Sequence, residues 1–244
     1  MPNRKNMEDA VRRAVNRFGI DLHRYRPERS ESARLSAMLT HHHVRTVLDV
    51  GANEGQFARS LRTAKFAGRI VSFEPLSNAH ARLLSASAGN GLWTVAPRSA
   101  IGDTDGEAEI HIAGNSVSSS LLDMHNRHLT AAADSGYTGA EKVRLARLDT
   151  IRAEIPAIAS PLFLKIDTQG YEDKVLDGAP DVLRDSVGLQ LEMSFVTLYQ
   201  GQQLFDALLD RVRSAGFSIW AIWPGVCDQT TGRMLQVDVV LFRD

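Results

Sequence analysis

Thr46-Val47-Leu48-Asp49-Val50-Gly51-Ala52-Asn53-Glu54-Gly55 is the stretch that decides how this chain folds. Its first five residues, rich in β-branched and aliphatic side chains, read as a buried strand, and the glycines that follow end it abruptly. Phe57 and Leu61 then stand four apart, the spacing of one helix face. Strand, glycine turn and helix N-terminus in immediate succession make the ligand crevice at the carboxyl edge of an open α/β sheet. Glycine suits such a turn because a Cβ would hold the backbone away from a ligand.

The pattern extends outward from this loop. Further apolar runs at 70–73, Trp93–Val95, Leu162–Ile166 and 189–193 alternate with amphipathic stretches near 57–63, 78–87, 172–176 and 204–215. Unbroken apolar strands separated by helices predict a parallel sheet covered on both faces. At the C-terminus, runs at 217–222 and 234–242 are joined through Pro224-Gly225 and Asp228-Gln229-Thr230-Thr231-Gly232, a linkage that suits a hairpin with a long loop. The predicted fold is therefore α/β and Rossmann-like: a mostly parallel sheet of about seven strands ending in an antiparallel C-terminal hairpin. Such an ending is uncommon in a dinucleotide dehydrogenase.

On the other side of the loop, Met7, Ala10, Val11, Ala14, Val15 and Phe18 fall at helical spacing opposite an arginine-bearing face. This helix is expected to dock on the domain's own core, with a homodimer partner or peripheral contact with a membrane surface as alternatives. Asp21 to Glu31, with Pro27, reads as a connector, and a second helix follows with Leu35, Met38 and Leu39 inward. Residues 1–43 are thus expected to form an N-terminal helical extension and 44–244 the ligand-binding domain. Within the latter, 102–150 shows no clear alternation: a turn at Asp103-Thr104-Asp105-Gly106, a strand near 107–112, then a polar loop at 116–120 feeding a short helix. A long irregular segment of this kind reads as a lid or insert that carries part of a substrate site.

Composition narrows the function classes. With 43% hydrophobic and 23% charged residues in 244, the chain has ordinary globular usage. A formal net charge of -1 provides no global field to recruit nucleic acid. Cys227 is the only cysteine, which excludes an intrachain disulfide and a cysteine-built zinc site and fits a reducing compartment. No apolar run approaches the ~20 residues of a transmembrane helix, and the N-terminus lacks the order of a signal peptide, so a cytoplasmic location is expected.

The loop's chemistry separates ligand classes. A dinucleotide site requires Gly-x-Gly-x-x-Gly, whereas here Gly51 and Gly55 flank Ala52, Asn53 and Glu54. A carboxylate at the helix start opposes a phosphate, and S-adenosylmethionine (SAM) carries none. Arg69-Ile70-Val71-Ser72-Phe73-Glu74-Pro75 reads as a second strand ending in a carboxylate, placed to accept hydrogen bonds from ribose hydroxyls.

Taken together, Asp49-Val50-Gly51-Ala52-Asn53-x-Gly55, Phe73-Glu74-Pro75, Ala100-Ile101-Gly102-Asp103 with Gly106, Ser119-Ser120-Leu121 and Leu164-Lys165-Ile166-Asp167-x-x-Gly170-x-Glu172 occur in family order. Over roughly 44–195 the chain resembles the FkbM-type SAM-dependent methyltransferases. The resemblance implies a class I methyltransferase fold, SAM as cofactor, and O-methylation of a sugar, glycolipid or polyketide hydroxyl. It also implies that Asp49, Gly51, Asn53 and Gly55 hold the methionine part of SAM, that Glu74 and Pro75 meet the ribose, and that Ala100 and Ile101 lie near adenine, with Asp167 adjacent. One departure is Gln169, where the family usually has an acid.

Asp167 and Glu192 each follow or interrupt an otherwise apolar strand and are expected to point into the crevice. Asp167 reads as a substrate-orienting group or base with Glu192 as its partner; a Mg2+ ion bridging the two carboxylates is the alternative. His125 and His128, at i and i+3 if helical, are rival bases. The run His41-His42-His43 reads as a helix end, and Trp220 and Trp223 as hairpin core or as a stacking surface for an acceptor. Competing functions are a nicotinamide-dependent oxidoreductase and a non-catalytic SAM-binding module.

Overall fold

The structure is a computed structural model that describes residues 11–20, 30–155 and 158–243. Five strands form where expected: β1 (Thr46–Val50), β2 (Arg69–Phe73), β3 (Trp93–Val95), β7 (Leu162–Ile166) and β8 (Ser186–Ser194). Between β3 and β7 lie β4 (Ala100–Gly102), β5 (Gly106–Ala113) and β6 (Tyr137–Arg147), and the chain ends in β9 (Phe217–Pro224) and β10 (Gln236–Arg243). Seven strands make one sheet in the order β3-β2-β1-β7-β8-β10-β9. All pairings are parallel except those of β10, which runs antiparallel to β8 and β9. This is the class I methyltransferase arrangement, with the reversal of strand order beside β1 placing a crevice at the carboxyl ends of β1 and β7.

Alternation along the strands divides the core into two layers. Leu48, Val50, Val71, Phe73, Leu164, Ile166, Leu189 and Leu191 pack with Val182, Leu208 and Val212 from the helices Pro180–Asp185 and Phe205–Ser214. On the opposite face Val47, Ile70, Phe163, Val240 and Phe242 meet three helices, α1 (Glu31–His41), α2 (Gln56–Thr63) and α3 (Ser77–Ser87), through Leu35, Leu39, Ala58, Leu61 and Leu83. Ser30 starts α1 by accepting a hydrogen bond from the Ala33 amide at 3.1 Å. Leu35 and Leu39 are fully buried, each contributing roughly 1.5–3 kcal/mol of transfer free energy to holding α1 on the sheet.

The segment 102–150 differs from the expected irregular lid. It builds a three-stranded sheet, β4-β6-β5, with β4 parallel and β5 antiparallel to β6. The 11-residue β6 is invisible to pattern reading because only Val143, Leu145 and Ala146 are buried, leaving its first half polar and exposed. The expected helix near the N-terminus exists over the described residues 11–16. It does not dock as anticipated: Val11 is 53% and Phe18 81% exposed. Met7, Ala10 and most of the connector from Asp21 lie outside the described residues.

Candidate active site

The carboxyl edge of the sheet opens into a cleft of roughly 740 Å³, within the size range of small-molecule sites. Gly51 turns the chain there with φ +79°, and a Cβ on it would fall 1.8 Å from the Asp167 carbonyl oxygen. The β1 turn and the end of β7 therefore touch only because this residue is glycine. Gly55 has a different duty from the one expected. It begins α2 in the left-handed conformation, a Cβ on it would strike Trp93 and Leu83, and it does not line the cleft.

Asn53, at φ +46°, occupies a left-handed position that asparagine tolerates. Its side chain donates to Ser116 Oγ at 3.2 Å, and its amide donates to Glu74 Oε2 at 2.8 Å. Glu74 Oε1 accepts from the Leu76 amide, also at 2.8 Å. Burial pushes the Glu74 carboxyl up to about 7 in spite of those two donors. Glu74, Pro75, Leu76, Ser99, Ala100 and Ile101 line one side of the cleft. Glu54 points elsewhere and pairs with Arg82 on the surface. Opposition to phosphate thus falls to Glu74 and Asp167 instead.

Asp49 is not in the cleft either. It is sealed beneath the turn, where Ser72 Oγ donates to Oδ2 at 3.3 Å and Lys165 Nζ lies 3.1 Å from Oδ1. Lys165 also approaches Asp167 Oδ2 at 3.3 Å, donates to the Gly51 carbonyl at 3.2 Å and sits 5.3 Å from the Phe57 ring centre. Burial opposes its charge, but Asp49 and Asp167 outweigh burial and hold the ammonium above its ordinary range. This lysine ties the underside of the glycine turn to the one carboxylate, Asp167, that faces the cleft from the end of β7. Sequence reading passed over Lys165; its signal was a lone cation inside the apolar run Leu-Phe-Leu-Lys-Ile.

Gln169, where an acid is usual, sits at φ +57° with its amide nitrogen between two carboxylates. It donates to Asp167 Oδ1 at 2.9 Å and to Glu192 Oε2 at 2.6 Å, and its carbonyl oxygen accepts from the Tyr199 hydroxyl at 2.8 Å. Glu172 clasps the same loop, Oε1 accepting from the Thr168 and Gly170 amides at 2.9 and 3.2 Å. The amide corrects two expectations. Glu192 does not line the cleft, and burial, followed by Asp167, Glu172 and Asp238, pushes its carboxyl well above the usual range. A Mg2+ bridge between Asp167 and Glu192 is unsupported, because the position between them holds an N–H donor. No group of three or more metal-ligating side chains occurs among the described residues.

The histidine pair is also corrected. His125 caps the helix Asn126–Ala131 from outside it, its Nδ1 accepting from the Arg127 amide at 3.2 Å. His128 is buried with Nε2 3.3 Å from Ser118 Oγ, and burial lowers its pKa. They share no helical face, and neither lines the cleft. His41 ends α1 as expected, with His42 as its cap. Trp223 is buried and lines the cleft, whereas Trp220 lies against His42 and Phe242.

The family model of the methyltransferase FkbM domain matches residues 49–219, from the glycine turn through β8 and into β9. The chain belongs to the FkbM methyltransferase family. The FkbM chain is 27% identical over 187 residues to the 2-O-methyltransferase NoeI of Sinorhizobium fredii (strain NBRC 101917 / NGR234), a match covering 73% of this chain and 74% of that one. Among solved structures it resembles an O-methyltransferase from Bacillus cereus in complex with SAH, at 12% identity and TM-score 0.48, covering 100% and 93% of the two chains. Another is an rRNA methylase from Streptococcus thermophilus, at 12% identity and TM-score 0.45, covering 91% and 99%. Family membership makes this FkbM protein a SAM-dependent methyltransferase and sets aside the nicotinamide alternative. The cleft fits the cofactor's chemistry: Glu74 and Asp167 face it, and Lys165, already engaged by two carboxylates, leaves little to attract a pyrophosphate.

Proposed function

We propose that the protein is a SAM-dependent O-methyltransferase that modifies a hydroxyl of a sugar, glycolipid or related natural product. The observation that carries this reading is Asp167, a carboxylate at the cleft beside the glycine turn, with one oxygen 3.3 Å from Lys165 Nζ and the other accepting from Gln169 at 2.9 Å. A hydroxyl is a weak nucleophile while protonated, and a carboxylate fixed from two sides is suited to orient it and accept its proton.

In this reading Gly51 and Asn53 hold the methionine end of the cofactor, Glu74 with Pro75 meets the ribose, and Ala100 and Ile101 flank the adenine. When bound, SAM supplies a methyl group on a sulfonium, and the electrons of the broken C–S bond return to sulfur. Lys165 and Gln169 hold Asp167 from two sides and keep it aimed at the cleft. The 2-O-methyltransferase among the relatives supports oxygen as the acceptor atom.

Asp167→Asn retains the shape and loses the base. Its kcat/KM for the acceptor is expected to fall by about 10²–10⁴, while the Kd for SAM, measured calorimetrically, stays near that of the parent. An unchanged kcat/KM sinks the role of Asp167. Stabilisation by nicotinamide dinucleotide but not by SAM in a thermal-shift titration would remove the whole reading.

A further inference from the structure

The cleft is larger than its cofactor half. Beyond Lys165 it continues over the α1 side of β8, β10 and β9, where Gln190, Asp238 and Trp223 form a wall with Ser30, Glu31 and Ser32 at the start of α1. Alternation explains the grouping. Asp238 pairs with Trp223 on one side and with Glu192 on the other, two residues along β8 from Gln190, so these side chains share the α1 face of the sheet.

Two polar atoms of this wall have no partner. Gln190 is 6% and Trp223 4% exposed, yet Gln190 Oε1 and Trp223 Nε1 make no hydrogen bond. The Gln190 amide nitrogen makes only a long one, 3.3 Å to Asp238 Oδ1. Buried polar groups are rarely left so, and two orphans of opposite sense beside one carboxylate point to an occupant that both donates and accepts. The wall lies on the far side of β7 from the β1 turn and Glu74, so it is free for the second reactant.

Resting on the methyl-transfer reading above, we infer that Gln190, Asp238 and Trp223 form the acceptor subsite, and that it selects neutral polyhydroxylated rings over anionic ones. A ring hydroxyl donates to Asp238 or Gln190 and a ring or hydroxyl oxygen accepts from the Trp223 indole N–H. Charge sets the selection. Lys165 is the only cation among the described residues lining the cleft and is held by Asp49 and Asp167, whereas Glu31, Glu74, Asp167 and Asp238 all face it. An acceptor carboxylate or phosphate finds no counter-ion there.

The test uses the full chain saturated with S-adenosylhomocysteine and titrated with methyl glycosides of neutral hexoses and with the matching uronides. The three indole N–H resonances of Trp93, Trp220 and Trp223 are followed, that of Trp223 being assigned through Trp223→Phe. At least one neutral glycoside is expected to shift the Trp223 resonance saturably, and no uronide to do so even in large excess. Asp238→Asn and Gln190→Leu should each weaken that glycoside about tenfold or more, the worth of a hydrogen bond to a charged or buried group, with the Kd for S-adenosylhomocysteine unchanged. If either variant fails to fold, the wild-type Trp223 resonance decides. Equal binding of uronides, a glycoside that leaves Trp223 unmoved, folded variants with unchanged affinity, or no glycoside binding at all each overturns the subsite while leaving methyl transfer standing. Failure to bind S-adenosylhomocysteine overturns both.

Discussion

Replacing Lys165 with methionine removes an ammonium and little volume, and tests whether the lysine is what holds the glycine turn to the sheet. In the parent, Nζ lies 3.1 Å from Asp49 Oδ1, 3.2 Å from the Gly51 carbonyl and 3.3 Å from Asp167 Oδ2. Asp167 is partly exposed and recovers water, but Asp49 is fully buried and retains only Ser72. Breaking a buried pair by deleting one partner costs about 3–5 kcal/mol. For a chain of this length each kcal/mol moves Tm by roughly 2–4 °C, so a fall of about 6–20 °C is expected.

The loss depends on pH with a definite sign. Burial already holds Asp49 above the ordinary carboxylate range, and without the ammonium its folded pKa rises further. The folded variant then binds a proton that the unfolded chain, with a pKa of about 3.9, releases. Stability is lost as pH rises through the raised folded value, so the deficit is small near pH 4 and largest at about pH 7. Calorimetric unfolding across that range is the assay. In the double variant Asp49→Asn, Lys165→Met, about 0.5–3 kcal/mol should return. The reasoning is refuted if Lys165→Met lies within about 0.5 kcal/mol of the parent at neutral pH, as an ordinary surface change would.

Other consequences follow from the same geometry. With the Glu74 carboxyl raised to about 7 by burial, SAM affinity should weaken as pH falls through that value, because a protonated group loses an acceptor site. Glu74→Gln should flatten the dependence and weaken SAM by about 10- to 100-fold in calorimetric titration, and a pH-independent parent would count against Glu74 as a ribose ligand. The unliganded chain should show the opposite trend from this group, losing stability as pH rises from about 4.5 to about 7 and no more above that. Gly51→Ala, whose Cβ would lie 1.8 Å from the Asp167 carbonyl, is expected to cost more than about 3 kcal/mol in urea unfolding. Gly89→Ala has a similar φ of +78° with nothing within 4 Å, and should cost only about 1–2 kcal/mol; equal costs would show that conformation alone, not the close approach, sets the requirement.

Much of the cofactor half was legible because its signals are short-range. The strand from Thr46, the turn at Gly51 and the helix through Phe57 and Leu61 lie within one stretch, and Gly51, Asn53, Glu74, Pro75, Ala100 and Ile101 all line the cleft. Asp49 and Gly55 belong to the same motif but act beneath the turn, a difference of facing that adjacency in sequence does not convey. The histidines failed for a related reason. Helical spacing placed His125 and His128 together, whereas the helix begins one residue after His125.

What the amino-acid sequence determined by itself was the family, the alternation of buried strands and amphipathic helices, the C-terminal hairpin and the turn at Gly51. The family rests on a resemblance carried by short motifs in order over roughly 44–195, and the other three on periodicity or backbone chemistry confined to a few neighbouring residues. Tertiary structure alone decided which polar side chains meet. Lys165 reaches a carbonyl 114 residues away, Gln169 separates Asp167 from Glu192, and Gln190, Asp238 and Trp223 are assembled from three strands. Those meetings depend on strand order and register, and a one-residue slip of its strand would turn Lys165, Gln190, Asp238 or Trp223 to the other face of the sheet.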